Sequence, residues 1–210
     1  MPLFYQHNIN EYTRLAIWLI EEPEAFFLKK VPLKKDVSHP HKRLQHLAGR
    51  YLLPVLFKDF PLEEIVIADT RKPFLENEKY HFSISHCGDF AAAIVSNKNR
   101  VGADVEMITP AISRISHKFL SPAEHFFIDE RWPLMKLQTI LWSSKESIYK
   151  WHSLGEVDFK EHIQLHDIII AVKDDGWVLP FVFKKSNIIH LSVHAKVFDK
   201  LVLSWVMTEV

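Results

Sequence analysis

Glycine is scarce in this 210-residue chain. Only Gly49, Gly88, Gly102, Gly155 and Gly176 occur, about 2% where an ordinary protein has about 7%. Neither G-x-G-x-x-G nor G-x-x-x-x-G-K-S/T can be written with them, so both glycine-rich phosphate loops are excluded and any phosphate has to be held mainly by side chains. Cysteine occurs once, as Cys87. That excludes an internal disulfide and a cysteine-rich zinc site, and it fits a reducing compartment. Charge of one sign is not in excess, with 26 Lys and Arg against 26 Asp and Glu. No overall field draws the protein to nucleic acid or anionic lipid, and a charge-based function has to be local. No apolar run approaches the ~20 residues of a membrane-spanning helix. Met1 to Tyr5 shows no basic region leading into an apolar block, the pattern of a secretory signal. A cytoplasmic protein is the expectation.

What remains is a globular composition, 48% apolar and 25% charged, which excludes disordered and fibrous classes. The length suits one large domain or two small ones. Leu15 to Ile20 predicts a strand, and Glu21-Glu22-Pro23-Glu24 a helix start. Ser38 predicts the cap of a helix from about Pro40 to Leu53, with Leu44, Leu47, Ala48, Tyr51 and Leu52 as its apolar stripe and Pro54 as its kink or end. Short strands follow at Ile65 to Ala68, Tyr80 to Ser85, Phe90 to Ser96 and Arg100 to Met107. Helical texture returns near Ile112 to Phe119 and Ser121 to Glu130, and a longer helix, Leu134 to His152, opens after Pro133. The tail predicts strands at Ile168 to Val172, Trp177 to Phe183, Ile188 to Phe198 and Leu201 to Met207. The expected fold is α+β, with two similar-sized lobes, 1–108 and 109–210. Each is a small, mostly antiparallel sheet packed with a long helix, in a pseudo-twofold arrangement.

Five segments can carry chemistry. In Val101-Gly102-Ala103-Asp104-Val105-Glu106-Met107, a strand puts Asp104 and Glu106 on one face, about 7 Å apart at the backbone, with the apolar residues on the other. Such a pair reads as two ligands converging on a small cation or as a solvated acidic face. In Trp142-Ser143-Ser144-Lys145-Glu146-Ser147-Ile148-Tyr149-Lys150, Glu146 and Lys150 share a helix face. That spacing gives either a surface ion pair of about 0.3 kcal/mol or part of a site. His86 closes the strand Phe82-Ser83-Ile84-Ser85 just before a glycine, placed to donate to a phosphate or to serve as a structural histidine. Thr70-Arg71-Lys72-Pro73 sets two cations on a turn, and Arg43, His46 and Arg50 form a basic stripe on a helix. Both have solvated surface as their ordinary reading. His162/His166 and His190/His194 stand four apart, but without an H-E-x-x-H pattern zinc is not the expectation. The six Trp and fifteen Phe read as core, since no basic excess accompanies them.

In this order, Arg71-Lys72-Pro73-Phe74, Phe82 to His86, Val101 to Glu106, Phe119-Leu120-Ser121-Pro122-Ala123-Glu124 and Trp142 to Lys150 resemble the 4′-phosphopantetheinyl transferases. The likeness is to the longer, surfactin-synthetase-activating type rather than the short holo-acyl-carrier synthase type. It spans about residues 43–155, and Gly-Ala-Asp-Val-Glu with Trp-Ser-Ser-Lys-Glu-Ser is its specific part. From Glu156 to Val210 only length and strand texture match. The resemblance implies a Mg²⁺-dependent transferase that moves the phosphopantetheine arm of coenzyme A onto a serine of an acyl or peptidyl carrier protein, releasing adenosine 3′,5′-bisphosphate. It implies Asp104, Glu106 and Glu146 as Mg²⁺ ligands and Lys150 on the diphosphate. Glu124 would be a functional acid beside the metal, and Lys72, Ser85, His86, Arg43 and Arg50 coenzyme A ligands. Glu146, Lys150 and Glu124 make the implied catalytic set, and the base toward the carrier serine is Glu146, Glu106 or Glu124.

The chain departs from that pattern at Arg71, where Gly is usual, at Cys87, where Ser is usual, and at Ser143, where Thr is commoner. The first bears on the Lys72 loop, because Gly supplies a φ that Arg adopts less readily. A monomer is expected. Two other readings use the same residues: a Mg²⁺-dependent phosphodiester hydrolase acting on a nucleotide, and a non-catalytic binding module whose acids and bases are surface pairs.

Overall fold

The computed structural model describes residues 2–32, 37–128 and 132–210, and the chain divides into two compact units, Met1–Val101 with Glu209–Val210, and Gly102–Thr208. The first unit holds β1 (Leu3–Asn8), β2 (Thr13–Leu19), a short α1 (Glu24–Leu28), α2 (Pro40–Leu56), β3 (Ile65–Ile67), β4 (Pro73–Leu75), β5 (His81–Cys87) and β6 (Phe90–Ser96). Four strands form an antiparallel sheet in the order β1-β2-β6-β5, and β3 pairs with β4 apart from it. Helix α2 buries Leu47, Ala48, Leu52, Leu53 and Leu56 against Trp18, Phe82 and the small side chains Ala91 and Ala93. The alanines of β6 let the helix approach the sheet. On the same helix Gly49 leaves room for Ile84, whose Cγ2 would lie 2.5 Å from a Cβ there.

β7 (Asn99–Met107) starts in the first unit and continues into the second, which adds α3 (Pro110–Phe119), α4 (Leu134–His152), β8 (Ile163–Leu165), β9 (Ile170–Val172), β10 (Gly176–Lys184), β11 (Ile188–Phe198) and β12 (Leu201–Glu209). The strand order is β7-β12-β11-β10-β8, with β9 also paired to β10. Leu137, Ile140, Leu141, Ile148 and Trp151 of α4 join Leu179, Phe181, Leu191 and Val193 in one core. The fold is therefore α+β with antiparallel sheets, each unit carrying one long helix. The division falls at 101/102, inside β7, rather than after 108, because the rest of the strand lies beside β12 in the second sheet. Among the described residues no helix is long and apolar enough to cross a membrane.

Local expectations are corrected at three points. His39 caps α2 in place of Ser38, its Nδ1 accepting from Lys42 N at 3.4 Å. The helix also runs through Pro54 to Leu56, where burial of Leu53 and Leu56 outweighs one missing N–H in the last turn. The segment after Ser121 is a 3₁₀ stretch, Pro122–Phe127, tightened by a capping box in which Ser121 N donates to Glu124 Oε2 at 2.8 Å. Glu130, the expected end of that helix, and Met1 lie outside the described residues.

Candidate active site

Gly102 sets the approach of β7 to α4. A Cβ at this position would collide with the Ser147 carbonyl oxygen and lie 2.6 Å from Trp151 N, so only glycine lets the strand backbone press onto the helix backbone. Two residues on, Asp104 is 3% exposed and its Oδ1 accepts from Lys150 Nζ at 2.7 Å. Glu106, on the same strand face, accepts from Trp142 Nε1 at 3.2 Å. Ser143, at a buried position of α4, donates to the Asp104 carbonyl oxygen at 3.4 Å. Lys150 thus reaches across to the strand, whereas helical spacing alone offered it Glu146.

Glu146 faces the same strand acids. Burial first, and then the negative charge of Asp104, raise its carboxyl to about 7; Lys150 opposes the rise and Glu106 adds to it. Among the described residues no three His, Cys, Asp or Glu side chains close into a metal shell, so the acids form an open group with the Lys150 ammonium on Asp104. That donor set fits Mg²⁺, which takes oxygen ligands and keeps waters and phosphate oxygens in its shell instead of an all-protein cage. Asp104, Glu106 and Glu146 carry carboxylate oxygens of the type that Mg²⁺ takes, but among the described residues they do not gather into a set that holds an ion by itself.

The raised carboxyl has a consequence for stability. The folded protein keeps a proton on Glu146 that the unfolded chain releases near its ordinary value of 4.5, so this contribution is present below about 4.5 and lost as pH rises to about 7. Glu146→Gln removes the titrating group. Unfolding midpoints of the two metal-free proteins should agree near pH 5 and separate by about pH 8, with the variant the more stable. Coincident curves across that range would show Glu146 to be an ordinary exposed carboxylate.

Glu124, expected beside the metal, is committed elsewhere. It is 1% exposed; its Oε1 accepts from Leu165 N at 3.0 Å and pairs with Lys145 Nζ at 2.7 Å, while Oε2 accepts from Ser121 N at 2.8 Å. Lys145 is fully buried and also donates to the carbonyl oxygens of Phe119 (2.7 Å), Phe159 (2.9 Å) and Ile163 (2.7 Å). Burial pulls its ammonium down to about 8, against the charge of Glu124. The pair ties the end of α3, the 3₁₀ stretch and β8 to α4, which makes Glu124 a positioning residue. Lys145 was missed in the sequence, although the spacing Leu141, Lys145, Ile148, His152 puts it on the buried face of α4. A lysine there requires a partner.

In the first unit a cavity of about 630 Å³ opens beside α2. Lys42, His46, Arg50, Arg71 and His86 line it, with an apolar wall of Leu62, Ile65, Ile67, Pro73 and Ile84; among the described residues no acid does. Lys42, His46 and Arg50 repeat every four residues on one face of α2. Arg50 Nη1 donates to His46 Nδ1 at 3.0 Å, and burial lowers the Arg50 pKa. Strand alternation brings Ile84 and His86 to the cavity and turns Ser85 to the opposite, buried side.

Arg43 does not line the cavity. Its Nε donates to Glu24 Oε1 at 2.8 Å and Nη1 to the Val37 carbonyl at 3.0 Å, joining α1 to α2. Lys42, which no motif singled out, takes the place in the stripe. Lys72 does not line the cavity either; burial, and then the charge of Arg100, pull its ammonium to about 8. Arg71 has φ 65°, the left-handed conformation that glycine would adopt freely and that costs another L-residue about 1–2 kcal/mol. Its turn is closed by Arg71 N donating to Ala68 O at 2.8 Å and Ala68 N donating to Lys72 O at 2.9 Å.

Comparison with known proteins follows the same line. Residues 100–206 match the model of the 4′-phosphopantetheinyl transferase superfamily. The chain is 32% identical over 123 residues to the 4′-phosphopantetheinyl transferase AcpT of Escherichia coli O157:H7, covering 56% of this chain and 62% of that protein. It is also 32% identical over 162 residues to enterobactin synthase component D of Escherichia coli O157:H7 and of Shigella flexneri, covering 73% of this chain and 78% of each relative. The chain thus spans less than two thirds of the AcpT protein's length. It belongs to the 4′-phosphopantetheinyl transferase superfamily. Asp104, Glu106, Glu124, Glu146 and Lys150 all lie inside the matched stretch, and the basic cavity lies before it.

Proposed function

We propose that the protein transfers the 4′-phosphopantetheine arm of coenzyme A to a serine of an acyl or peptidyl carrier protein, with Mg²⁺ as cofactor, as a monomer of the long, two-lobed type. The observation that carries this reading is the meeting of Asp104, Glu106, Glu146 and Lys150 on β7 and α4 of a chain that belongs to this superfamily. The cavity in the first unit suits the adenosine end of coenzyme A, since it offers an apolar wall to a base and cations to phosphates. In this reading the first unit supplies the coenzyme A ligands, and the second supplies Asp104, Glu106, Glu146 and Lys150.

The carrier serine Oγ attacks the β-phosphorus, and its proton passes to Glu146, the carboxyl that faces Asp104 and Lys150 in the same unit. The bond from that phosphorus to the bridging oxygen breaks, and the electron pair leaves with adenosine 3′,5′-bisphosphate. Lys150, anchored by Asp104, donates to the leaving oxygen. Bound Mg²⁺ would supply neutralisation of the diphosphate charge.

The experiment is mass spectrometry of apo-carrier proteins from fatty-acid, polyketide and peptide systems, incubated with the protein, coenzyme A and Mg²⁺. At least one carrier should gain the mass of one phosphopantetheine arm, and a chelator should abolish the gain. Release of the bisphosphate in the absence of any carrier, with no carrier modified, would assign a hydrolase instead.

A further inference from the structure

The turn before β4 contributes one cation to the basic cavity, and it is Arg71 rather than Lys72. Arg71 and Pro73 line the cavity together with Lys42, His46, Arg50 and His86. Three features of Arg71 converge. Its backbone is held at φ 65° by a closed turn, a conformation that glycine would take without strain. Residues other than glycine held in this conformation cluster at functional sites, where the surroundings hold the strain. The Arg71 guanidinium is exposed and makes no ion pair with any described residue, and among the described residues the cavity has no acid to neutralise it. A planar guanidinium on a rigid turn presents paired donors to a phosphate, which a flexible ammonium does not.

We propose that Arg71 is a phosphate ligand of coenzyme A, taking over at this turn the part that the family resemblance implies for Lys72. The inference rests on reading the cavity as the coenzyme A site. Arg71 lines the cavity, while Lys72 does not and lies within reach of the Arg100 charge. The full chain therefore binds its ligand's phosphates with one more guanidinium than α2 supplies.

Calorimetric titration of the full-length protein with coenzyme A and with dephospho-coenzyme A tests this on Arg71→Gly, Arg71→Ala, Arg71→Lys and Lys72→Ala. Arg71→Gly and Arg71→Ala should both raise the Kd for coenzyme A roughly tenfold, the size of one charge-assisted hydrogen bond in a half-open site. Arg71→Lys should recover part of the loss, and Lys72→Ala should have the smaller effect. Arg71→Gly alone should also raise the unfolding midpoint, which separates binding from folding. A loss confined to coenzyme A places Arg71 on the 3′-phosphate, and an equal loss for both ligands places it on the diphosphate; either supports the proposal. A Kd within about twofold of wild type for both Arg71→Gly and Arg71→Ala overturns it. Failure of the wild-type protein to bind coenzyme A would overturn the reading of the cavity as well.

Discussion

Glu146→Gln is expected to abolish carrier labelling, with transfer falling at least about a thousandfold, the combined scale of losing a general base and a metal ligand. Glutamine keeps the shape and burial of the side chain but neither accepts the serine proton nor carries charge toward a cation. Asp104→Asn should fall as far, because it also weakens the 2.7 Å anchor that positions Lys150. Both variants should fold, and under the proposed reading both should bind coenzyme A without Mg²⁺ as tightly as the wild type, since the basic cavity lies in the other unit. Timed mass spectra of a carrier protein, run beside calorimetry with coenzyme A, separate the two steps. A Glu146→Gln protein that labels its carrier at the wild-type rate would remove the carboxylate group from the active site.

Lys145→Met should cost about 3–5 kcal/mol of stability, the usual consequence of leaving one member of a buried ion pair uncompensated. The side chain is of similar length and fits the same space. What it removes is the donor to Glu124 and to the carbonyls of Phe119, Phe159 and Ile163, of which all but the part-buried bond to Phe159 are buried. In a chain of this size the unfolding midpoint should fall by about 10 °C. Adding Glu124→Leu to Lys145→Met should recover only the part due to the stranded carboxylate, because the three carbonyls stay without their donor and Leu165 N and Ser121 N lose their acceptor. Urea unfolding of the four proteins closes the cycle. A single-variant loss below about 1 kcal/mol would mean that the pair is wetter and weaker than its geometry indicates. Glu124→Gln gives a further distinction: as a positioning residue, its effect on transfer should track its effect on stability, whereas loss of Glu146 should not.

Several elements were legible in the sequence to the residue. Helix α4 starts and ends where Pro133 and the apolar stripe place it, and β11 spans the alternating run Ile188–Phe198. The shared face of Asp104 and Glu106 follows from the pleat alone. Placement in the cavity turns on one residue of phase. Neighbours on a helix point about 100° apart, so Arg43 turns to Glu24 while Lys42 enters the cavity. On β5 the same argument separates His86 from Ser85.

Composition and periodicity determined by themselves the fold class, the absence of glycine-rich phosphate loops and the acid pair on a strand, because each is a property of composition or of a short stretch of backbone; the superfamily came from the resemblance of the motifs to a known family. Only the tertiary structure decided that Lys150 bonds Asp104, that Glu124 is spent on Lys145, and that Arg71 rather than Lys72 faces the cavity. These are contacts between residues distant in the chain or turned by an unusual φ. The first of them depends on how closely β7 meets α4, a distance that Gly102 permits and the packing of both elements sets.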